Sequence, residues 1–462
     1  MRTIFYAMTI CSLLAGCSSS RSEPESESAQ TTQQALDVTL TSGLTAMQGT
    51  ILGEPIEANR QADTEQYYQT VQIGPSGQSG GTVRAMLPKL KNFTDFYFND
   101  PAHETVAKYY NRGDLGIGRE MHCVDRGATQ EIACYVKNYF AGDAGGEFSF
   151  GLSSNIAFAN MDTDTHFATV CMVWRRLAST SVPFTDKVYF AVYNATDDLS
   201  DAAALDRVGV QFATAFPLGG ANPVGHGTPG QNFNNHIPSN CIVCHGGKPY
   251  NYDKNDNANP TDVLHPKRSQ FGALFLPFDL DQFDFDATHP RDEAALRGLN
   301  RMVWTVANQM PNEDLNASVR NQISLWYNNT SLNGNLTGNF TQAVPSGWSS
   351  PAGQAVYLNV VRGSCRNCHM TNHISSLHFD TEAQFKTILA GSVSDIKKFR
   401  MPHSVQSLRL FWQSNQPAQL AAYLRDRNGG NNPALAIQLE AAGPGDVATL
   451  DPPLIGVNSS GF

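Results

Sequence analysis

Two short stretches of the 462-residue chain carry residues at a spacing that does chemistry: Asn240-Cys241-Ile242-Val243-Cys244-His245 and, 124 residues on, Ser364-Cys365-Arg366-Asn367-Cys368-His369. In each, two thiols three positions apart run directly into a histidine. Thiols so placed add across the two vinyl groups of a haem while the adjacent imidazole reaches the iron from one face, and Cys-x-x-Cys-His is the attachment sequence of c-type haem. A zinc site or a redox thiol pair is the alternative for one such motif; the repetition of the whole pattern in an exported chain argues against it. The expected cofactors are therefore two covalently bound haem c groups (iron). Cys241, Cys244, Cys365 and Cys368 are the attachment points, and His245 and His369 the proximal ligands.

The opposite face of each iron is a separate question. Arg400-Met401-Pro402-His403 follows the second motif, and a Met401 thioether there would raise the reduction potential. For the first haem three readings stay open: Met310, which repeats the Met-Pro pair; a histidine, His236 or His265; or an open position that binds peroxide, oxygen or nitric oxide. Met302 lies on an apolar helix face, where core packing is the plain reading. His373, His378 and His403 read as propionate contacts or surface residues, and His122 and His166 as surface or core.

The elements around the second motif have a recognisable order. A helix is expected over 351–361, with Ala355, Leu358 and Val361 at helical spacing. A second is expected over 382–390, ended by Gly391, and a terminal one over 410–424, stopped by Asn428-Gly429-Gly430. Helix, motif, helix, Met-Pro and terminal helix resemble a class I cytochrome c domain, which implies an all-α unit over 346–430 and a tail over 431–462.

At the amino terminus, Met1-Arg2-Thr3 precedes an apolar run over 4–14, too short to span a bilayer as a helix. Leu14-Ala15-Gly16-Cys17 is similar to the lipobox of bacterial lipoproteins. That resemblance implies a signal peptide over 1–16, acylation of Cys17 as a lipid anchor and, with Ser18 next, the outer membrane, periplasmic or surface-facing. Cys11 leaves with the signal. Residues 17–36, rich in Ser, Glu and Gln, cannot offset ordering entropy and read as a tether.

Residues 37–225 read as a β-rich domain, with strands over 67–73, 148–158, 166–174, 187–193 and 208–212 and one helix over 101–110. Cys123 and Cys134 bracket Asp125-Arg126-Gly127 and are expected to close a disulfide, which an exported chain permits; Cys171 reads as a buried free thiol. Residues 226–345 are the first haem-binding region, where the apolar run 271–281 is expected to pack on the haem and helices cover 292–308 and 312–328. The fold class is thus multidomain α+β. The formal charge of −10 argues against nucleic acid as a partner and permits a basic redox protein. The combination resembles exported bacterial dihaem cytochromes, which implies single-electron transfer between a donor and an acceptor redox protein. The alternatives are a dihaem peroxidase-like enzyme acting at the first haem, and a sensor or adhesive protein with structural haems.

Overall fold

The computed structural model describes residues 90–114, 116–127, 131–141, 154–175, 187–194, 241, 244–245, 273–309, 313–327, 332, 342–371, 377–398, 405–412 and 414–442. The chain is mixed α and β, with an antiparallel sheet first and helices after it. In order come α1 (Leu90–Tyr97), β1 (Glu104–Asn111), β2 (Ile117–Asp125), β3 (Glu131–Tyr139), α2 (Ser154–Asp162), β4 (Ala168–Arg175), β5 (Lys187–Asn194), β6 (Phe283–Asp284), α3 (Glu293–Gln309), α4 (Glu313–Tyr327), α5 (Pro351–Val356), α6 (Glu382–Lys398), α7 (Val405–Trp412), α8 (Gln416–Arg425) and α9 (Pro433–Ala442). Among the described residues no helix is long and apolar enough to cross a membrane.

The strands form one sheet ordered β5-β4-β3-β2-β1-β6. The first five run as a meander, whereas β6 comes from beyond the first Cys-x-x-Cys-His motif and pairs with β1 through Tyr110 and Asn111. Its neighbours 273–283, together with α1, α3 and α4, share one core with the sheet, so the β-rich and first-motif regions are not packed as separate bodies. α2 covers the sheet face that carries Gly118, where a methyl group would meet Met161 Cε at 2.5 Å and Ala157 Cβ at 3.0 Å. A second core gathers α5 to α9. The two cores exchange members where the motifs lie: Ile117 of β2 packs in the second, and Met370, just after the second motif, in the first.

Several elements differ from the sequence expectation. The helix over 101–110 is a single 3-10 turn at Pro101–His103 capped by Asp100, after which the chain enters β1. Thr105, Ala107 and Tyr109 alternate with Val106, Lys108 and Tyr110, and an eight-residue ladder to β2 satisfies the backbone. The strand over 148–158 is helical from Ser154, because Ala157, Phe158 and Met161 recur at helical spacing and are buried. Gly391 does not end α6: one glycine costs about 1 kcal/mol, and Phe385, Leu389, Val393 and Ile396 anchor the helix on both sides of it. The terminal helix is two, α7 and α8, with Pro417 in the first turn of α8, where its missing N–H costs nothing. The tail contains α9, which buries Leu435, Ala436, Leu439 and Ala442. The strands expected over 67–73 and 208–212 lie outside the described residues.

On the sheet face beneath α2, the His122 imidazole sits between Glu104 Oε1 at 2.5 Å and Glu120 Oε1 at 2.7 Å and stacks on Tyr135. Burial alone would lower its pKa, but the hydrogen bonds and charges of the two carboxylates outweigh that and raise it. A raised folded-state pKa stabilises fully below the unfolded value of about 6.5 and is lost as pH climbs through the folded value. Urea midpoints are therefore expected to fall on going from pH 6 into the alkaline range, and His122→Gln to flatten that part of the profile. An unchanged slope in the variant would show that His122 binds its proton equally in the folded and unfolded chains, against a raised folded-state pKa.

Candidate functional site

In the first motif, Cys244 is buried and Cys241 half-buried. His245 Nδ1 lies 3.0 Å from the Leu274 carbonyl. A carbonyl only accepts, so Nδ1 carries the proton and the lone pair is on Nε2, the ring orientation that metal-ligating histidines use. The Phe190 ring of β5 meets the imidazole edge to face at 5.1 Å. Burial, helped by the nearby Arg119 charge, pushes His245 down to about 4, so it is neutral at pH 7.

The second motif repeats this arrangement on different elements. Its Arg366–His369 segment is a short helical turn that α5 leads into. His369 Nδ1 donates to the Leu377 carbonyl at 2.9 Å, and desolvation lowers this imidazole to about 4 as well. Phe379 stacks on the ring at 4.3 Å. Its backbone is left-handed, with φ of 58°, a costly state for a bulky residue; Trp348 Nε1 donates to its carbonyl at 2.8 Å and holds it there. Burial pushes the Cys241 and Cys365 thiols up to about 12.

The fold brings the two motifs into contact. Cys244 Sγ lies 3.7 Å from Cys368 Sγ, and Thr371 Oγ1 donates to the Cys244 carbonyl. Beside them, Arg366, inside the second motif, forms a two-pronged pair with Asp279: Nε to Oδ2 at 2.8 Å and Nη2 to Oδ1 at 2.7 Å. Arg366 is 3% and Asp279 0% exposed, and the guanidinium also lies over the Trp326 ring. Burial opposes both charges. For Arg366 the Asp279 carboxylate outweighs it and holds the guanidinium protonated, while burial moves the Asp279 pKa upward.

A cavity opens from Cys241, Cys244 and His245 onto the sheet face turned away from α2. Its far walls are Phe275 and Phe278 from the apolar run and Met302 from α3. The sheet contributes Met121 and Met172, and its polar end is Arg119, Asp114 and Asn111. An apolar slot with a thiol pair, a neutral imidazole and a polar end suits a flat, amphipathic group carrying carboxylates.

Of the six attachment and proximal residues expected from the sequence, Cys241, Cys244 and His245 line the cavity, and Cys368 touches Cys244. Met302 lines the cavity, and His378 is buried with Nδ1 3.6 Å from Asp380 Oδ2. Cys123 and Cys134 are bonded as directly opposed partners in β2 and β3, on the cavity face. Cys171 is buried and unbonded to another cysteine. Met310, Met401, His236, His265, His373, His403 and Cys17 lie outside the described residues. Sequence reading missed Arg119, Met121 and Met172. The signal for the first two was the alternation in Ile117-Gly118-Arg119-Glu120-Met121-His122-Cys123, whose odd positions share a face. Compared with protein-family models, curated proteins and solved structures, the chain matches none.

Arg366→Met should leave Asp279 buried without its partner and cost about 3–5 kcal/mol in denaturant unfolding. Adding Asp279→Leu to that variant is expected to restore most of the loss. If both variants unfold like the parent, the pair does not hold the motifs together.

Proposed function

We propose that the chain is a dihaem c-type cytochrome that passes single electrons between redox partners in the bacterial cell envelope, tethered through lipid at Cys17. The observation that carries this reading is the 3.7 Å contact between Cys244 and Cys368, each the second cysteine of its motif. With a thioether on each sulfur, Cys244 and Cys368 would hold two haems side by side, and the groups would supply a one-electron couple at each attachment site. Haem supplies the one-electron couple; the protein tunes it through ligands, burial and hydrogen bonds.

The chain's own residues have matching roles. Leu274 and Leu377 carbonyls fix His245 and His369 with Nε2 free, which supports their assignment as proximal ligands. The paired aromatic contacts from Phe190 and Phe379 restrict ring rotation. The helices from α5 to α8 are read as a class I cytochrome c unit around the second haem, with Met401 as its second ligand. A second reading, peroxidase-like reduction of a small oxidant, draws on the roomy cavity beside His245.

Two measurements test this. Replacing Cys365 and Cys368 together by Ala should reduce covalent haem, assayed as the pyridine haemochrome of the denatured chain, from two equivalents to one. Electron paramagnetic resonance of the oxidised chain should show two low-spin ferric haems that interact magnetically, and half-reduction should leave no high-spin signal. A high-spin component that grows on half-reduction would replace the carrier reading with the peroxidase one.

A further inference from the structure

The face of the sheet toward His245 is graded in polarity. Arg119 is paired in register with Tyr109 on one side and Asn138 on the other, a polar row across β1 to β3. Two residues along, the row is Met121, Val136 and Val170; two further, it is the Cys123–Cys134 disulfide and Met172. Phe190, opposite Met172, is the ring that meets His245. The wall therefore runs from sulfur and hydrocarbon around Met172 and Phe190 to a guanidinium in the Arg119 row.

Arg119 is the one basic residue besides His245 among the described residues lining this cavity. Its Nη2 donates to Asp114 Oδ2 at 2.7 Å, and its buried Nε has no partner. Asn111, bonded to the same carboxylate through Nδ2, leaves its Oδ1 buried and unpaired. A buried charged donor left unpaired is costly, so Arg119 Nε calls for a group that supplies an acceptor, while Asn111 Oδ1, itself an acceptor, calls for a donor such as a bridging water. A haem has that shape: vinyl-derived thioethers at one edge, two carboxylates at another, hydrocarbon between.

We propose that the sheet face is the platform for the first haem and that Arg119 Nε donates to one of its propionates, with Asp114 orienting the guanidinium. The inference rests on the two-haem reading.

The test uses the full chain purified with its haems. A positive charge near iron disfavours the ferric state, so Arg119→Gln should lower the midpoint potential of one haem. The expected size is about tenfold in its redox equilibrium, ~59 mV for one electron. Asp114→Asn should raise the potential of the same haem, and Arg119→Lys should recover part of the drop. The propionate bending band of one haem in resonance Raman spectra should shift in Arg119→Gln. Two haems present with unmoved potentials and an unmoved band would overturn the proposal. If Arg119→Gln fails to retain haem, Asp114→Asn decides: a raised potential supports the platform, an unchanged one overturns it. A parent chain without covalent haem would instead overturn the two-haem reading itself.

Discussion

The buried pair between Asp279 and Arg366 is the constraint on which the rest depends. Asp279 belongs to the apolar run after the first motif, and Arg366 lies inside the second. Neither charge is tolerable alone at that depth, so wherever one goes the other must follow. That requirement ties the sheet-bearing half to the helical half at the level of the motifs. The contact between Cys244 and Cys368, the hydrogen bond from Thr371, and the exchange of Ile117 and Met370 between the two cores all sit around it. Arg366 also explains how a position between the two cysteines of the motif becomes structural: its guanidinium lies over Trp326 and on the Asp279 carboxylate.

The candidate chemistry was the part read most directly from the sequence, because it resides in two contiguous Cys-x-x-Cys-His motifs. The long amphipathic helices were legible too: α3 and α4 start and end within a residue or so of the sequence reading, since their apolar faces are periodic. What the sequence did not reveal was local in one place and distant in another. Residues 101–110 carry a Pro start signal and no strong strand alternation until the ladder with β2 is known. Gly391 reads as a stop only when the packing of Val393 and Ile396 beyond it is unseen. The pairing of residue 283 with residue 111, and of the two motifs with each other, is a matter of tertiary contact that no local pattern encodes.

The same distinction changes the role of the sheet. In three dimensions one face carries a solvent-shielded network of His122, Glu104, Glu120 and Lys137, and the other lines a cavity beside His245. A two-residue period in a strand therefore separates two physical tasks across the thickness of a single layer: charge compensation on one side, an apolar wall on the other.

The sulfur atoms of that wall impose an order of assembly. Cys123 and Cys134 are bonded to each other, whereas Cys241 and Cys244 share their cavity as thiols, and Cys244 also touches Cys368. On the two-haem reading, one pair must be oxidised while four neighbours remain reduced until each has been alkylated by a vinyl group. A chain that closed first would offer Cys244 a partner at 3.7 Å and seal the motifs against the macrocycle. Maturation on that reading would be a race between crosslinking and alkylation, and the contact that would set two haems side by side would also penalise folding before they arrive.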